Sequence, residues 1–234
     1  MQALIFDCDG VLVDTERDGH RVAFNEAFQA LGLAREWSVE RYGELLLTAG
    51  GKERMRRDFD ETGWPASSLG HDALIADLHK AKTDIFMRLI ESGRMPLRPG
   101  IARIVDEAIV QGIKLAVCST SNERAVQAVV DVMLGAERSP HIRVFAGDMV
   151  AAKKPAPDIY QMAARTLGLD PARCVVIEDS NNGLRAAKAA GMNCIVTISS
   201  YTGEEEFSLA DRVVDDLDSG KVDIAACRAV IGRR

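Results

Sequence analysis

Short apolar runs alternate with helical patterns along most of this chain. Six of the runs predict β-strands, at residues 3–6, 115–118, 144–146, 174–177, 194–197 and 212–214. Apolar residues at helical spacing predict helices between them, at residues 101–111, 123–133, 157–167 and 183–190. Because this alternation is typical of a parallel sheet covered on both faces, we predict an α/β fold whose ligands bind at the carboxyl ends of the strands.

One segment departs from this alternation. Between about Thr15 and Met95 the apolar spacing is helical throughout, and we predict no strand there. Turn signals interrupt the segment at residues 49–51, 63–65 and 92–93, and prolines mark its end at 96 and 99. We therefore predict a helical domain inserted after the first strand, with both of its ends returning to the sheet.

The composition limits the classes of function. Of the 234 residues, 47% are hydrophobic and 27% charged, as in an ordinary globular protein. The net charge of −6 and the 5% aromatic content argue against a nucleic-acid partner. No apolar run approaches the roughly 20 residues that span a bilayer, and the start does not resemble a secretory signal, so we expect no membrane partner. Five scattered cysteines without metal-ligand spacing indicate a reducing compartment, and we expect a cytoplasmic monomer.

Pairs of acids follow two of the predicted strands. Asp7 and Asp9 come directly after the first strand, and Glu178 and Asp179 follow the strand at residues 174–177. Carboxylates so close together would repel one another unless a cation neutralised them. Oxygen ligands without histidine or cysteine favour a hard ion, and Mg²⁺ suits a site that keeps waters and shares a phosphate.

Hydroxyl groups and a lysine follow two other strands. Ser119 and Ser121 end the second strand, and Lys153 and Lys154 precede a proline. Both groups have a simpler explanation. Ser and Asn residues directly before a helix often cap its first turn, and lysine side chains are usually solvated. A helix N-terminus with hydroxyls also suits a phosphate. With Mg²⁺ these groups would position a phosphoryl group while one aspartate attacks phosphorus and the other moves a proton.

This order of motifs resembles the haloacid dehalogenase (HAD) superfamily of phosphohydrolases. The matching motifs are Asp7-Cys8-Asp9-Gly10, a strand-end Ser119, Lys154-Pro155 and Glu178-Asp179. The resemblance spans the whole chain. It implies a Rossmann-like, HAD-like core at residues 1–14 and 96–234 and a helical cap at residues 15–95.

The resemblance also implies roles for the motif residues. Asp7 would be the nucleophile and Asp9 the general acid and base, while Ser119 and Lys154 would bind the phosphoryl group. Mg²⁺ would be bound by Asp7, the backbone carbonyl of Asp9 and Asp179, with Glu178 in or near that shell.

The helical segment carries candidate substrate ligands. Lys52 and Arg54 follow a glycine turn and could hold a second phosphate of the substrate, Arg54 by a two-pronged contact. Lys82 adds positive charge on a predicted helix, where lysines are usually solvated. Glu16 follows Thr15 where a hinge must lie, and a helix start is the alternative explanation.

Within the superfamily, this segment resembles the beta-phosphoglucomutase-like branch and, inside it, the CbbY-type phosphatases linked to the Calvin cycle. The shared strings are residues 15–16, 20–21, 23–25, 50–54 and 78–82. Members of that group dephosphorylate xylulose 1,5-bisphosphate, an inhibitory by-product of Rubisco. The resemblance implies substrate contacts by Glu16, Gly51, Lys52, Arg54, Lys82 and Ser121. The chain departs from the pattern by one extra residue before His20, which leaves His20 open between substrate binding and packing.

We therefore predict a Mg²⁺-dependent phosphatase that acts on a small sugar bisphosphate, above all xylulose 1,5-bisphosphate, through an aspartyl phosphate. One alternative is a sugar phosphate mutase. A mutase would need the same Asp9, so the motifs cannot distinguish it from a phosphatase. Others are a phosphatase for another small ester and a non-catalytic phospho-acceptor module. Free phosphate release, isomerised product and a lasting phosphoaspartate without turnover would distinguish them.

Overall fold

The computed structural model of the protein describes residues 1–48 and 50–232. The chain packs as two compact units. The first comprises Met1–Asp14 and Met95–Arg234, and the second comprises Thr15–Arg94. Met95, which the sequence places in the helical segment, is buried in the first unit at 4% exposure.

The first unit is built on a sheet. Within the described residues six parallel strands form it, in the order β3-β2-β1-β4-β5-β6. The strands are β1 (Ala3–Phe6), β2 (Lys114–Cys118), β3 (Ile142–Phe145), β4 (Cys174–Glu178), β5 (Asn193–Thr197) and β6 (Arg212–Val214). The predicted α/β fold with a parallel sheet is confirmed. β1 lies at the centre of this order, between β2 and β4, and its four residues are completely buried.

The third strand differs from its prediction. It starts at Ile142 instead of residue 144, and Ala146 falls outside it. Ile142 and Val144 pair with Leu115 and Val117 of β2, while Arg143 between them is exposed. This alternation of apolar and charged residues is typical of an edge strand, and it hid the start of β3 from a search for continuous apolar runs.

Nine α-helices lie within the described residues. They are α1 (Arg21–Ala30), α2 (Val39–Leu46), α3 (Gly51–Thr62), α4 (His71–Glu91), α5 (Ile101–Val110), α6 (Glu123–Leu134), α7 (Asp158–Leu167), α8 (Asn181–Ala189) and α9 (Ile224–Ala229). Polar caps fix several of the starts, among them those of α6 and α8. Asn122 accepts a hydrogen bond from Arg124 N at 3.1 Å, and Ser180 accepts one from Gly183 N at 3.2 Å. The Ser180 cap starts α8 two residues before the predicted helix, at Asn181.

The second unit consists of α1 to α4 and a short π-helical turn at Thr15–His20. Its described residues contain no strand, as predicted from the apolar spacing. Aromatic side chains form its core, and Phe24 lies 4.7 Å from Trp37 between ring centroids. Of the turn predicted at residues 49–51, Ala49 lies outside the described residues. Gly50 has φ +93°, and Gly51 is already helical.

None of the described helices combines the length and the apolar character that crossing a membrane requires.

Candidate active site

The strand register brings the predicted motifs of the sheet together. Phe6 pairs with Val117 of β2 on one side and with Ile177 of β4 on the other. The next residue, Asp7, donates its N–H to Ile177 O at 2.9 Å. The carboxyl ends of three adjacent parallel strands therefore meet at Asp7, which places Ser119 and Glu178 on either side of it.

Lys154 is the cation at the centre of this cluster. Its Nζ donates to Asp7 Oδ1 at 2.7 Å, to Glu178 Oε1 at 2.6 Å and to Cys118 O at 2.9 Å. Burial alone would lower the pKa of Lys154, but the charges of Asp7 and Glu178 outweigh burial and raise it. Lys154 is therefore a permanent positive charge beside the Asp7 carboxylate.

The buried carboxylates outnumber this cation. Asp7, Glu178 and Asp179 are each at most 8% exposed, and one oxygen of each lies within 4.8 Å of the others. Burial raises the pKa of Asp7 from 3.8 to about 7, with the charges of Glu178 and Asp9 adding to the rise and Lys154 opposing it. Burial, followed by the charges of Glu178 and Asp7, raises the pKa of Asp179 well above its usual value.

This excess of negative charge fits a divalent cation. Three carboxylates around one ammonium leave an excess of negative charge, and burial makes that excess unfavourable. A bound metal ion would neutralise it. Carboxylate oxygens are the ligands that a hard cation prefers. Asp7, Glu178 and Asp179 could therefore hold such an ion.

Asp9 lies on the other side of the loop that follows β1, next to the end of β2. Ser121 Oγ donates to Asp9 Oδ2 at 2.5 Å, and Ser119 Oγ lies 3.4 Å from the same oxygen. Ser121 N donates to Ser119 Oγ at 3.0 Å, which links the two serines. The cluster therefore places one aspartate beside Lys154 and the other beside two hydroxyl groups.

Two glycines make room for the acids. A Cβ on Gly10 would lie 2.0 Å from Asp179 Oδ2, and a Cβ on Gly183 would lie 2.0 Å from Glu178 Oε1. Gly10 also has φ +78°, a conformation that other residues rarely adopt. Neither position tolerates a larger residue without displacing a carboxylate of the site.

Tyr160 is a residue of this site that sequence reasoning missed. Its hydroxyl donates to Glu178 Oε1 at 2.5 Å, and its ring centroid lies 4.9 Å from Lys154 Nζ. Tyr160 is completely buried on α7, where its position fits an ordinary apolar helix face. Only the contact across the fold reveals that its hydroxyl is directed at an acid.

The helical unit brings some of its predicted ligands together. Glu16 Oε2 accepts a hydrogen bond from Tyr42 OH at 2.6 Å and lies 3.6 Å from Arg54 Nη1. Arg54 also donates to Tyr42 OH at 3.1 Å and to Thr48 O at 3.0 Å. Glu16 and Arg54 therefore form one polar cluster inside this unit, and much of the Arg54 charge is already paired.

A second polar cluster of the same unit contains Lys82 and His20. Lys82 Nζ donates to His20 Nδ1 at 2.9 Å and lies 5.0 Å from the centroids of Phe24 and Phe86. His20 itself packs on Phe86, with 3.9 Å between ring centroids. This packing accounts for His20 without a ligand.

Gly51 and Lys52 begin α3 in the same unit. A Cβ on Gly51 would lie 3.1 Å from Phe24 Cζ and 3.4 Å from His79 Cδ2, so a side chain there would be crowded. Lys52, by contrast, is exposed. Burial, followed by the charges of Lys82 and Lys52, lowers the pKa of His79.

Comparison with known proteins extends these observations. The model of the haloacid dehalogenase-like hydrolase family matches residues 1–191. A CBBY-like protein of Arabidopsis thaliana is 54% identical over 99% of this chain and 75% of its own length. Protein CbbY of Cereibacter sphaeroides is 48% identical over 92% of both chains. The crystal structure of a CbbY mutant from Rhodobacter sphaeroides in complex with xylulose-(1,5)bisphosphate has a TM-score of 0.77 and 45% identity, over 97% of this chain and 99% of that one.

Proposed function

The chain belongs to the haloacid dehalogenase-like hydrolases, and we propose that it is a Mg²⁺-dependent phosphatase whose substrate is xylulose 1,5-bisphosphate. The family and its CbbY relatives make it a phosphoric monoester hydrolase. The observation that carries the proposal is the contact of Lys154 Nζ with Asp7 Oδ1 at 2.7 Å, inside a cluster of buried acids. This arrangement supports Asp7 as the nucleophile, with a cation next to the phosphoryl group that it would attack.

In the first step, an Asp7 oxygen attacks phosphorus while the bond between phosphorus and the sugar oxygen breaks. The Lys154 ammonium and the Ser119 hydroxyl bind oxygens of the transferring phosphoryl group. Asp9 donates a proton to the departing sugar oxygen. The Ser121 hydroxyl, which donates to Asp9 Oδ2, holds the Asp9 carboxyl group in place for this transfer.

In the second step, Asp9 takes a proton from a water molecule, and the water oxygen attacks the phosphorus of the phosphoaspartate. The bond between phosphorus and Asp7 breaks, which releases inorganic phosphate and restores the Asp7 carboxylate. Asp9 is protonated at the end of the cycle and can donate this proton to the departing oxygen of the next substrate.

Mg²⁺ would be held by Asp7 and Asp179, together with the backbone carbonyl of Asp9 and with Glu178 in or near the shell. When bound, it would neutralise part of the negative charge of the carboxylates and of the phosphoryl oxygens. The raised pKa values of Asp7 and Asp179 support this assignment, since a bound cation would favour the ionised form of both acids.

The choice of xylulose 1,5-bisphosphate rests on likeness. A CbbY protein at 45% identity has been crystallised in complex with this sugar bisphosphate, and its likeness covers 97% of the present chain. The polar residues of the helical unit are also suited to a phosphorylated sugar, because both cations and hydrogen-bonding groups are present.

We assign the phosphate that is not cleaved to Lys52. Arg54 is already engaged by Glu16, Tyr42 and Thr48, whereas Lys52 is exposed at the start of α3. In this assignment Arg54 keeps the Glu16 carboxylate in position for the sugar hydroxyls. Gly51, Lys82 and Ser121 remain candidate substrate ligands.

Phosphate release from a panel of sugar phosphates tests the proposal. The panel contains xylulose 1,5-bisphosphate, ribulose 1,5-bisphosphate and beta-glucose 1-phosphate, each with Mg²⁺. We expect a strong preference for xylulose 1,5-bisphosphate and no activity in Asp9→Ala. Formation of glucose 6-phosphate without net phosphate release would establish a mutase instead.

A pair of lysine variants tests the assignment of the second phosphate. Lys52→Ala should raise KM for the bisphosphate by about tenfold, the loss expected for one charge-assisted hydrogen bond, and leave kcat nearly unchanged. Lys80→Ala is the matched control, because Lys80 is exposed on α4 and faces away from Lys82. Equal effects of the two substitutions would contradict the assignment.

A further inference from the structure

Arg98 contacts the loop that carries Asp9. Its Nη1 donates to the backbone carbonyl of Gly10, the residue that follows Asp9. The same nitrogen donates to Thr197 O at 3.1 Å and to Thr197 Oγ1 at 3.2 Å. Nη2 donates to Ile198 O at 2.5 Å and to Asp215 O at 2.8 Å. One guanidinium group therefore connects the loop after β1 with the ends of β5 and β6.

The backbone of Arg98 is fixed to the same loop. Arg98 N donates to Leu12 O at 2.8 Å, and Leu97 forms an antiparallel bridge with Val13. The guanidinium group thus extends from a backbone that is already paired with the loop it contacts. Its planar set of donors can serve several carbonyl groups at once, which the single ammonium of a lysine cannot match.

The Gly10 peptide needs such a contact. Glycine has the freest backbone of all residues, and Gly10 adopts φ +78° directly after the proposed acid and base. It cannot be replaced by a more rigid residue, because a Cβ there would lie 2.0 Å from Asp179 Oδ2. The N–H of Gly10 donates to Val13 O at 2.8 Å, and the carbonyl of Gly10 accepts a hydrogen bond from Arg98. Hydrogen bonds therefore fix both polar groups of the Gly10 backbone.

We infer that Arg98 is a positioning residue: by fixing the Gly10 carbonyl, its guanidinium group keeps the loop of residues 9–13 in the conformation in which Asp9 can protonate the departing sugar oxygen. The inference rests on the proposed function for its kinetic consequence. Its structural part, the ordering of the loop, does not depend on which reaction the protein catalyses.

The dependence of the rate on the leaving group tests this role. A sugar oxygen is a strong base and needs a proton as it departs, whereas 4-nitrophenolate is a weak base and departs with little help. A misplaced Asp9 should therefore slow the first step for a sugar phosphate far more than for 4-nitrophenyl phosphate. Because kcat/KM reports the steps up to the first phosphoryl transfer, it is the quantity to compare.

For Arg98→Gln we expect kcat/KM to fall about tenfold to a hundredfold with xylulose 1,5-bisphosphate, the size of effect that a displacement near 1 Å can cause. With 4-nitrophenyl phosphate we expect kcat/KM to fall by less than about threefold, which is well below the effect of such a displacement on the sugar phosphate. An equal fall with both substrates would overturn the inference, since a general loss of folded protein affects both alike.

Arg103→Gln is the matched control. Arg103 donates to two backbone carbonyls, Leu217 O at 3.2 Å and Val222 O at 3.1 Å, and also pairs with Glu107 and Asp218. It is an arginine of the same unit with a similar bonding pattern, but its contacts lie away from residues 7–13. Its loss should leave the ratio of the two kcat/KM values unchanged.

Hydrogen exchange measures the loop directly. Amides of residues 9–13 should exchange faster in Arg98→Gln than in the unaltered protein, and Arg103→Gln should leave them unchanged. If the unaltered protein releases phosphate from neither substrate, the proposed function fails, yet this exchange still decides whether Arg98 orders the loop. If Arg98→Gln does not fold, Arg98→Lys takes its place in both measurements, and wild-type exchange together with a wild-type substrate ratio in that variant would overturn the inference.

Discussion

Replacing Tyr160 with phenylalanine removes a single oxygen atom and, with it, the hydrogen bond to Glu178 Oε1 at 2.5 Å. The aromatic ring stays, and so does its contact with Lys154 Nζ at 4.9 Å. Glu178 keeps the ammonium of Lys154 at 2.6 Å and the N–H of Asp179 at 3.1 Å. The substitution therefore isolates the contribution of one donor to a completely buried carboxylate.

The structure sets the size of the expected loss. Hydrogen bonds to charged groups contribute about 1.5–3 kcal/mol to stability, and Glu178 is 0% exposed, so water cannot replace the phenol. In a chain of this length, that loss corresponds to a fall in Tm of about 3–12 °C. Burial and the charge of Glu178 raise the pKa of Tyr160 well above its usual value, so the hydroxyl remains a donor throughout the neutral range.

Thermal and urea unfolding of the two proteins measure the effect. Tyr42→Phe is the comparison, because Tyr42 is also completely buried and donates to a carboxylate, Glu16, at 2.6 Å. Tyr42 OH also accepts a hydrogen bond from Arg54 at 3.1 Å, but the side chains of Glu16 and Arg54 are 34% and 16% exposed. Water can therefore take over part of both bonds, and the loss should be smaller than in Tyr160→Phe. A loss below about 0.5 kcal/mol in Tyr160→Phe would refute the reasoning, because it lies under the usual contribution of any hydrogen bond.

Three further predictions concern the charge and the space of the site. Because the pKa of Asp7 is raised in the folded protein, Asp7 stabilises the metal-free protein below pH 3.8, its ordinary pKa, and this contribution is lost as the pH rises to about 7. Mg²⁺ should therefore raise Tm more at pH 8 than at pH 6. An equal increase in Tm at the two pH values would contradict this. Lys154→Met should lower kcat about a hundredfold to a thousandfold, the cost of removing one preorganised donor, and near-normal turnover would contradict the role of Lys154. Gly183→Ala should displace Glu178 and lower both Tm and activity, whereas Gly203→Ala, whose nearest neighbour would lie 3.8 Å from the new Cβ, should change neither.

The arrangement at the strand ends could be predicted because it follows from local sequence. Apolar strands ending in Asp7, Ser119 and Glu178 become neighbours in any parallel sheet of this order, since carboxyl ends meet at one edge. The exposed Arg143 in β3 broke the apolar run, and for this reason the start of that strand was misplaced.

The contacts that support the site could not be predicted in the same way. Tyr160 lies 18 residues from Glu178, and Arg98 lies 88 residues from Gly10, so only the folded chain reveals that they meet. In the helical unit, the sequence presents Arg54 as a free cation for a phosphate. The structure pairs it with Glu16 instead, at 3.6 Å.

The proposed mechanism requires a covalent bond between phosphorus and Asp7, and trapping that bond is the most direct test of it. The protein is mixed with Mg²⁺ and xylulose 1,5-bisphosphate, quenched in acid within the first turnover, digested and analysed by mass spectrometry. We expect the mass of one phosphoryl group on the peptide that contains Asp7, and neither this label nor phosphate release in Asp7→Asn. Continued phosphate release by Asp7→Asn, or a phosphoryl group on another residue, would contradict the mechanism.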